Sequence, residues 1–252
     1  MTPADLVPSL VGVAVLAIIM TAVLVAFRVA QPWAPTLAIV RGAVQLAVIS
    51  VILTGIITSP GWIALALLVM FTIACSVAVG RVGWSARGIA TMTTSIAAGV
   101  ATAVVIVFAT GALEFTPRYA LAIGAIVIGN AMSIATLTGR MFTTAVRTHW
   151  DEVEGWLALG ATPRRSTIGL ARTAVRDALI PSIDQTRTTG LVVLPGAFVG
   201  AIFGGISPLE AGRFQIVVLA AIMAAGSITA VLIATWMGDV RSRPGAVDAA
   251  AR

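Results

Sequence analysis

An all-α, polytopic membrane protein with seven transmembrane helices is the fold class this sequence predicts, and three observations predict it. Hydrophobic residues make up 59% of the 252 and charged residues only 10%, where a soluble chain carries roughly a quarter. The apolar residues form long runs without any charge. The charges collect between those runs, and all 16 basic residues are arginine.

The spans follow from the runs in order, because an uncharged stretch of about 20 residues crosses a hydrocarbon core of about 30 Å. Charge-free stretches occupy 6–27, 42–80, 88–113, 119–139, 188–209 and 214–238. The second holds the turn signal Thr58-Ser59-Pro60-Gly61 and divides into two. The predicted spans are 6–27, 37–57, 62–80, 88–109, 119–138, 183–205 and 211–236, all in one transmembrane domain. Asp5 and the lack of a basic segment before the first run are the pattern of a span rather than a cleaved leader. Cys75, the single cysteine, falls inside the third span and is expected to pack as a small apolar residue.

Orientation follows from arginine placement. With the N-terminus outside and the C-terminus inside, 13 of 16 arginines are cytoplasmic: Arg28, Arg41, Arg81, Arg87, Arg140, Arg147, Arg164, Arg165, Arg172, Arg176, Arg241, Arg243 and Arg252. Arg118 and Arg213 lie outside and Arg187 at a boundary. The net charge of +6 thus reflects topology and attraction to anionic lipid, not nucleic acid.

The one substantial cytoplasmic element is expected at 139–181, between spans five and six. Residues 138–187 carry 12 of the 26 charges. Phe142, Val146, Trp150, Val153 and Leu157 recur at steps of three and four, which places them on one helical face. Leu159-Gly160 ends that periodicity, and glycine suits the left-handed residue that terminates helices. Thr162-Pro163 reads as an N-cap followed by proline in the first turn. Ile168, Ala171, Val175 and Leu179 then form a second apolar face flanked by Arg165, Arg172 and Arg176. The element is a helix, a tight turn and a helix.

Absences narrow the chemistry. Without lysine the chain has no Walker A loop and no retinal Schiff base. His149 is the only histidine and lies in the amphipathic cytoplasmic helix, which excludes an intramembrane Ser/His dyad and an intrachain bis-histidine haem. Paired aspartates of an intramembrane protease are absent as well. The expectation is a chain with no catalysis and no cofactor of its own.

A membrane protein without chemistry that projects a rigid helix-turn-helix suggests a transporter half driven by another subunit. The segment Glu154-Gly155-Trp156-Leu157-Ala158-Leu159-Gly160-Ala161-Thr162-Pro163 resembles the coupling loop of ABC importer-like permeases. Further matches are Arg41-Gly42-Ala43-Val44-Gln45-Leu46, Gly129-Asn130-Ala131-Met132, Ala178-Leu179-Ile180-Pro181, Thr189-Gly190-Leu191-Val192, Leu194-Pro195-Gly196, and Ser207-Pro208-Leu209-Glu210-Ala211 through Gln215. Together these resemble the FetB (YbbM) permease family from span two to span seven. The first 35 residues and the tail after Trp236 match only in hydrophobicity. The resemblance implies a plasma-membrane permease that pairs with a separate ATP-binding subunit, which would hold the ATP and magnesium. Members are associated with iron export and oxidative-stress resistance in bacteria and with aluminium tolerance in plants.

Candidate site residues fall into three groups. For coupling, Leu157, Leu159, Ala161 and Pro163 would fill a groove of the ATPase around the Gly160-Thr162 turn, while Glu154, Arg164 and Arg165 fix register at its rim; the alternative is an amphipathic linker on the membrane surface. For a translocation path or gate, Asp184, Gln185 and Arg187 enter span six after Pro181, either as a polar vestibule or as an interfacial i,i+3 pair. Arg41 and Gln45, one turn apart, are either a snorkelling arginine with a packed glutamine or an interior contact with Asn130 or the Asp184 region. Asn130, deep in span five, needs a partner for its amide.

Hinge and packing positions are Pro181, Pro195, Gly196, Gly200 and Gly204. The last three form two consecutive GxxxG spacings after a kink expected at Pro195, a face for a second copy or for intrachain packing.

Metal ligands are unknown. The membrane part offers Cys75, Met20, Met70, Met92, Met132, Met223, Asp184, Glu114 and Glu210, a poor set for tight ferrous binding. A weak transit site, a chelated metal, or another polar or lipid-like solute such as a nucleotide sugar stays open. The reading is a homodimeric permease with two ATPase subunits. A secondary transporter working without ATP and a non-transporting scaffold or sensor are its rivals.

Overall fold

Proline sets the start of several helices in this chain. Pro60, Pro117, Pro163 and Pro208 open helices, where a missing N–H costs nothing because first-turn donors have no intrahelical acceptor. Just ahead of Pro117 and Pro208 stand hydroxyl caps. The Thr116 Oγ1 accepts from the Tyr119 N–H at 3.3 Å, and the Ser207 Oγ from the Glu210 N–H at 3.3 Å.

The computed structural model describes residues 3–56 and 60–244, with side chains for 7–50 and 60–244. Thr58, Ser59 and Arg252 lie outside the described residues. The named elements among the described residues are all helices: α1 Pro3–Ala26, α2 Ala34–Ile56, α3 Pro60–Val82, α4 Ala86–Ala109, α5 Pro117–Thr148, α6 Trp150–Ala158, α7 Pro163–Thr188, α8 Gly196–Phe203 and α9 Pro208–Met237. Five helices among the described residues are long and apolar enough to cross a membrane: α3, α4, α5, α9 and the Val7–Ala26 part of α1. Ala34–Ser50 of α2 is a shorter apolar helix.

The chain divides into two units. In the first, α1 and α2 are joined through Arg28 and Gln31, both at positive φ, and the Thr21 and Thr36 hydroxyls share a hydrogen bond of 2.8 Å.

In the second unit, α9 packs against α4, α5, α7 and α8. Close approach is achieved through small residues, since helices in lipid associate by van der Waals packing. At Gly99 of α4 a Cβ would strike the Ala225 carbonyl and the Thr229 hydroxyl, and at Gly226 of α9 it would strike Ile134. Helix directions follow from paired levels. Arg87 meets Asp239 at 3.4 Å and Thr229 donates to the Ser95 carbonyl at 3.2 Å, so α4 is antiparallel to α9. Tyr119 stacks near Phe214 while Ile134 meets Gly226, so α5 is parallel to it.

Two expectations need correction. The helix predicted through Leu157 is interrupted once, at His149, which caps both α5 and α6. The stretch 183–205, expected as the sixth span, is not one helix. α7 continues through Pro181 to Thr188. Residues 189–195 then form a turn, and α8 has only eight residues, about 12 Å. The break has local causes: Gly190 takes φ +84°, and Pro195 disfavours a helical residue before it. The kink expected at Pro195 is therefore a full interruption, with Pro195 as the N-cap of α8. Pro181, by contrast, does not end its helix, because Ala171, Ala174 and Ala178 hold the preceding turns against the bundle.

Candidate functional site

The Glu154–Arg165 turn is built by backbone hydrogen bonds. The Ala161 N–H donates to the Trp156 carbonyl at 3.0 Å and the Gly160 N–H to that of Leu157 at 3.0 Å. This is the Schellman pattern, with Gly160 at φ +84° as its left-handed residue. Thr162 caps α7 by conformation alone; its side chain makes no capping bond. Beneath the turn, Phe142, Val146 and Val153 are fully buried and Trp150 is half-buried, as the periodicity predicts.

Around the turn, Glu154, Thr162, Arg164 and Arg165 are exposed, and Ala161 and Pro163 are half-exposed. Leu159 is 84% exposed, but Leu157 is half-buried on the inner side of α6. Its place on the outer surface is taken by Trp156, and Ile168 is exposed rather than buried with Ala171. Periodicity leaves Trp156 off the inner face and assigns it no role; Leu159, also off that face, was the available signal. The outer surface is thus Trp156, Leu159 and Ile168, ringed by Glu154, Arg164 and Arg165.

α7 connects this turn to the interior. The Thr167 hydroxyl donates to the Gly238 carbonyl at 2.9 Å, and Leu179 lies 3.6 Å from the Cβ position of Gly226. α7 therefore runs antiparallel along α9 from its end to its middle. Arg164 and Arg172 border a groove of about 320 Å³ between these helices, walled by Ile168, Val175 and Val231. Further along, the Arg187 Nη1 stands 3.9 Å from the Asp184 Oδ1 with both side chains exposed. Gln185 is exposed beside them.

The remaining candidates are dispersed. The Asn130 amide donates to the Ile126 carbonyl of its own helix at 2.9 Å. Arg41 and Gln45 are both exposed on α2, in the first unit. No neighbouring atom lies within 4 Å of a Cβ built at Gly196 or Gly200, and at Gly204 only the carbonyls of its own helix approach. Cys75, Met92 and Met132 pack in one apolar cluster. Glu114 and Glu210 border a recess that also holds Arg213 and Tyr119. Among the described residues no three His, Cys, Asp or Glu side chains stand together as a metal site. The sequence reading also missed Gln215, 5% exposed, whose Oε1 has no hydrogen-bond partner among the described residues.

Similarity to known proteins gives the family. The rice protein called UPF0014 membrane protein STAR2 is 40% identical over 197 residues, covering 77% of this chain and 69% of its own. The Arabidopsis thaliana Protein ALUMINUM SENSITIVE 3 is 36% identical over 193 residues, covering 76% and 71%. The probable iron export permease protein FetB of Escherichia coli K12 is 35% identical over 138 residues, covering 55% of this chain and 52% of its own. No solved structure matches this chain. Residues 7–240 match the family described as Uncharacterised protein family (UPF0014), and the chain belongs to that family of multi-pass membrane proteins.

Proposed function

We propose that this chain is the membrane-spanning permease of an ATP-binding cassette exporter, working as a homodimer with a separate ATPase subunit that binds ATP and magnesium. The observation that carries this reading is the α6–α7 turn. It presents Trp156, Leu159 and Ile168 to solvent on a backbone locked by Gly160, and it is continuous with a helix lying along α9. A closing ATPase that grips the turn would push α7 lengthwise against α5 and α9. Arg81, Arg87, Arg140 and Arg164 gather at the same end of the second unit, which supports a cytoplasmic placement for the turn and an inside C-terminus; the outside N-terminus rests on the arginine count along the sequence. The open Gly196 and Gly200 face is where the second copy would pack. Seven membrane crossings require α2 and the broken α7–α8 segment to count with the five apolar helices.

The E. coli relative named as an iron export permease supports a metal cargo. A nucleotide sugar or lipid-like solute is the alternative substrate.

Glu154→Arg should leave the fold intact and abolish ATP-driven transport in proteoliposomes holding both subunits, and Gly160→Trp should abolish it while straining the left-handed residue of the turn. Normal transport by either variant removes the coupling role of the turn. Cargo movement by the purified chain without its ATPase would instead establish a secondary transporter, and partner binding without any transport a scaffold.

A further inference from the structure

Arg165, Arg172, Arg176 and Arg187 are separated by 7, 4 and 11 residues along one unbroken helix. At 3.6 residues per turn these steps bring all four within a sector of about 60°, over about 33 Å of helix. The opposite side carries Thr167, Ala174 and Ala178, which are buried against the bundle. All four arginines are exposed. Arg176 meets only its neighbour Asp177, at 3.1 Å, and Arg187 only Asp184, at 3.9 Å; Arg165 and Arg172 have no acidic partner among the described residues.

The position of this stripe matters more than its charge. Thr167 is level with Gly238 and Leu179 with Gly226, so both helices advance 12 residues, about 18 Å, between the two contacts. Carried on at the same pitch, Arg172, Arg176 and Arg187 stand beside α9 residues from about 233 to about 218. That is the apolar length of a helix fit to cross a membrane. A guanidinium facing lipid at such depth is costly, so a stripe of them is stable there only against water or counter-charge. α7 holds five arginines against two aspartates, and its residual field is positive. A bare divalent cation is repelled from such a surface, whereas an anion is concentrated along it.

We infer that this face of α7 lines a hydrated path and that the species drawn along it is an anion; a metal cargo then travels as a polycarboxylate chelate, not as the free ion. This rests on the permease reading and names its substrate class. A chelate brings its own donors, so such a path needs no cluster of metal-ligating side chains.

Ile180 lies four residues after Arg176 and seven before Arg187, on the same face, and is exposed. An Ile180→Cys variant in a Cys75→Ala background is labelled in proteoliposomes with an anionic sulfonatoethyl and a cationic trimethylammonium methanethiosulfonate. Each rate is normalised to that reagent's rate with a small thiol in water. The anionic reagent should react about tenfold faster. Arg176→Gln with Arg187→Gln should bring the ratio near one, and the corresponding lysine variants should keep it. Ile183→Cys serves if Ile180→Cys fails to fold. Equal rates, a cation preference, or no labelling by either reagent overturns the inference.

In the second arm, chain and ATPase are reconstituted together and offered labelled iron as citrate chelate or as ferrous ion. ATP-driven movement of the chelate supports both readings. Movement of the ferrous ion in preference overturns the anion path and leaves the permease standing. An anionic labelling preference with no ATP-driven movement of either keeps the path and overturns iron as the cargo, chelated or free.

Discussion

α7 and α9 lie antiparallel and in contact, yet they are made of different material. α9 is apolar on nearly every side and buries residues from Ala211 to Ala234. α7 has five arginines, two aspartates and a buried face of little more than Ser166, Thr167 and three alanines. A helix apolar all round is suited to lipid or to a bundle core; a helix that carries arginines on the side away from its neighbours needs water or counter-charge there. Their pairing teaches that a neighbour, not a helix's own hydropathy, decides whether it lies along a membrane span.

The sharpest way to break this contrast is to attack the packing on each side. Gly99→Leu forces a side chain into the Ala225 carbonyl and the Thr229 hydroxyl, where backbone cannot yield. It should lower stability by about 3 kcal/mol or more, measured as the midpoint of unfolding by SDS in mixed micelles. On α7, Ala178→Leu overpacks a fully buried position and should cost about 1–3 kcal/mol. If it is silent, α7 is loosely attached and its contact with α9 does not hold it in place.

The turn offers a middle case. Gly160→Ala places a Cβ in a left-handed residue and should cost about 1–2 kcal/mol in the same titration. Leu159→Glu alters a side chain that touches little of its own chain. It should leave the midpoint unchanged while weakening association with the ATPase subunit about tenfold in a pull-down titration. The smallest effect belongs to the far end of α7. Arg187→Gln breaks a long, exposed pair with Asp184 and should change stability by less than about 0.5 kcal/mol. A larger loss would mean that the pair is buried in the assembled protein.

Much of the turn was readable in the residues themselves. Gly160 after Leu159, and Thr162 before Pro163, encode their own backbone geometry within a few positions, as do the Thr-Pro and Ser-Pro starts of α5 and α9. Pro181 shows the limit of such local reading. Proline beside charged residues reads as a boundary between a cytoplasmic element and a span, but the alanines before it bind the helix to α9, and it continues. Leu157 keeps the inner face that its spacing from Val153 marks, and its expected place in the coupling surface falls to Trp156. Periodicity marks which residues are apolar, whereas the partners available to α6 decide which of them is covered.

Composition alone determined that this is a membrane protein without lysine chemistry, because the cost of placing charge in hydrocarbon and the need for an amine at a phosphate loop are properties of single residues. The place of α7 beside α9 came only from the folded chain. Its alanine stripe is too weak a signal to be distinguished from a surface helix, and the energy that holds it beside α9 arises from close contact between surfaces far apart in sequence.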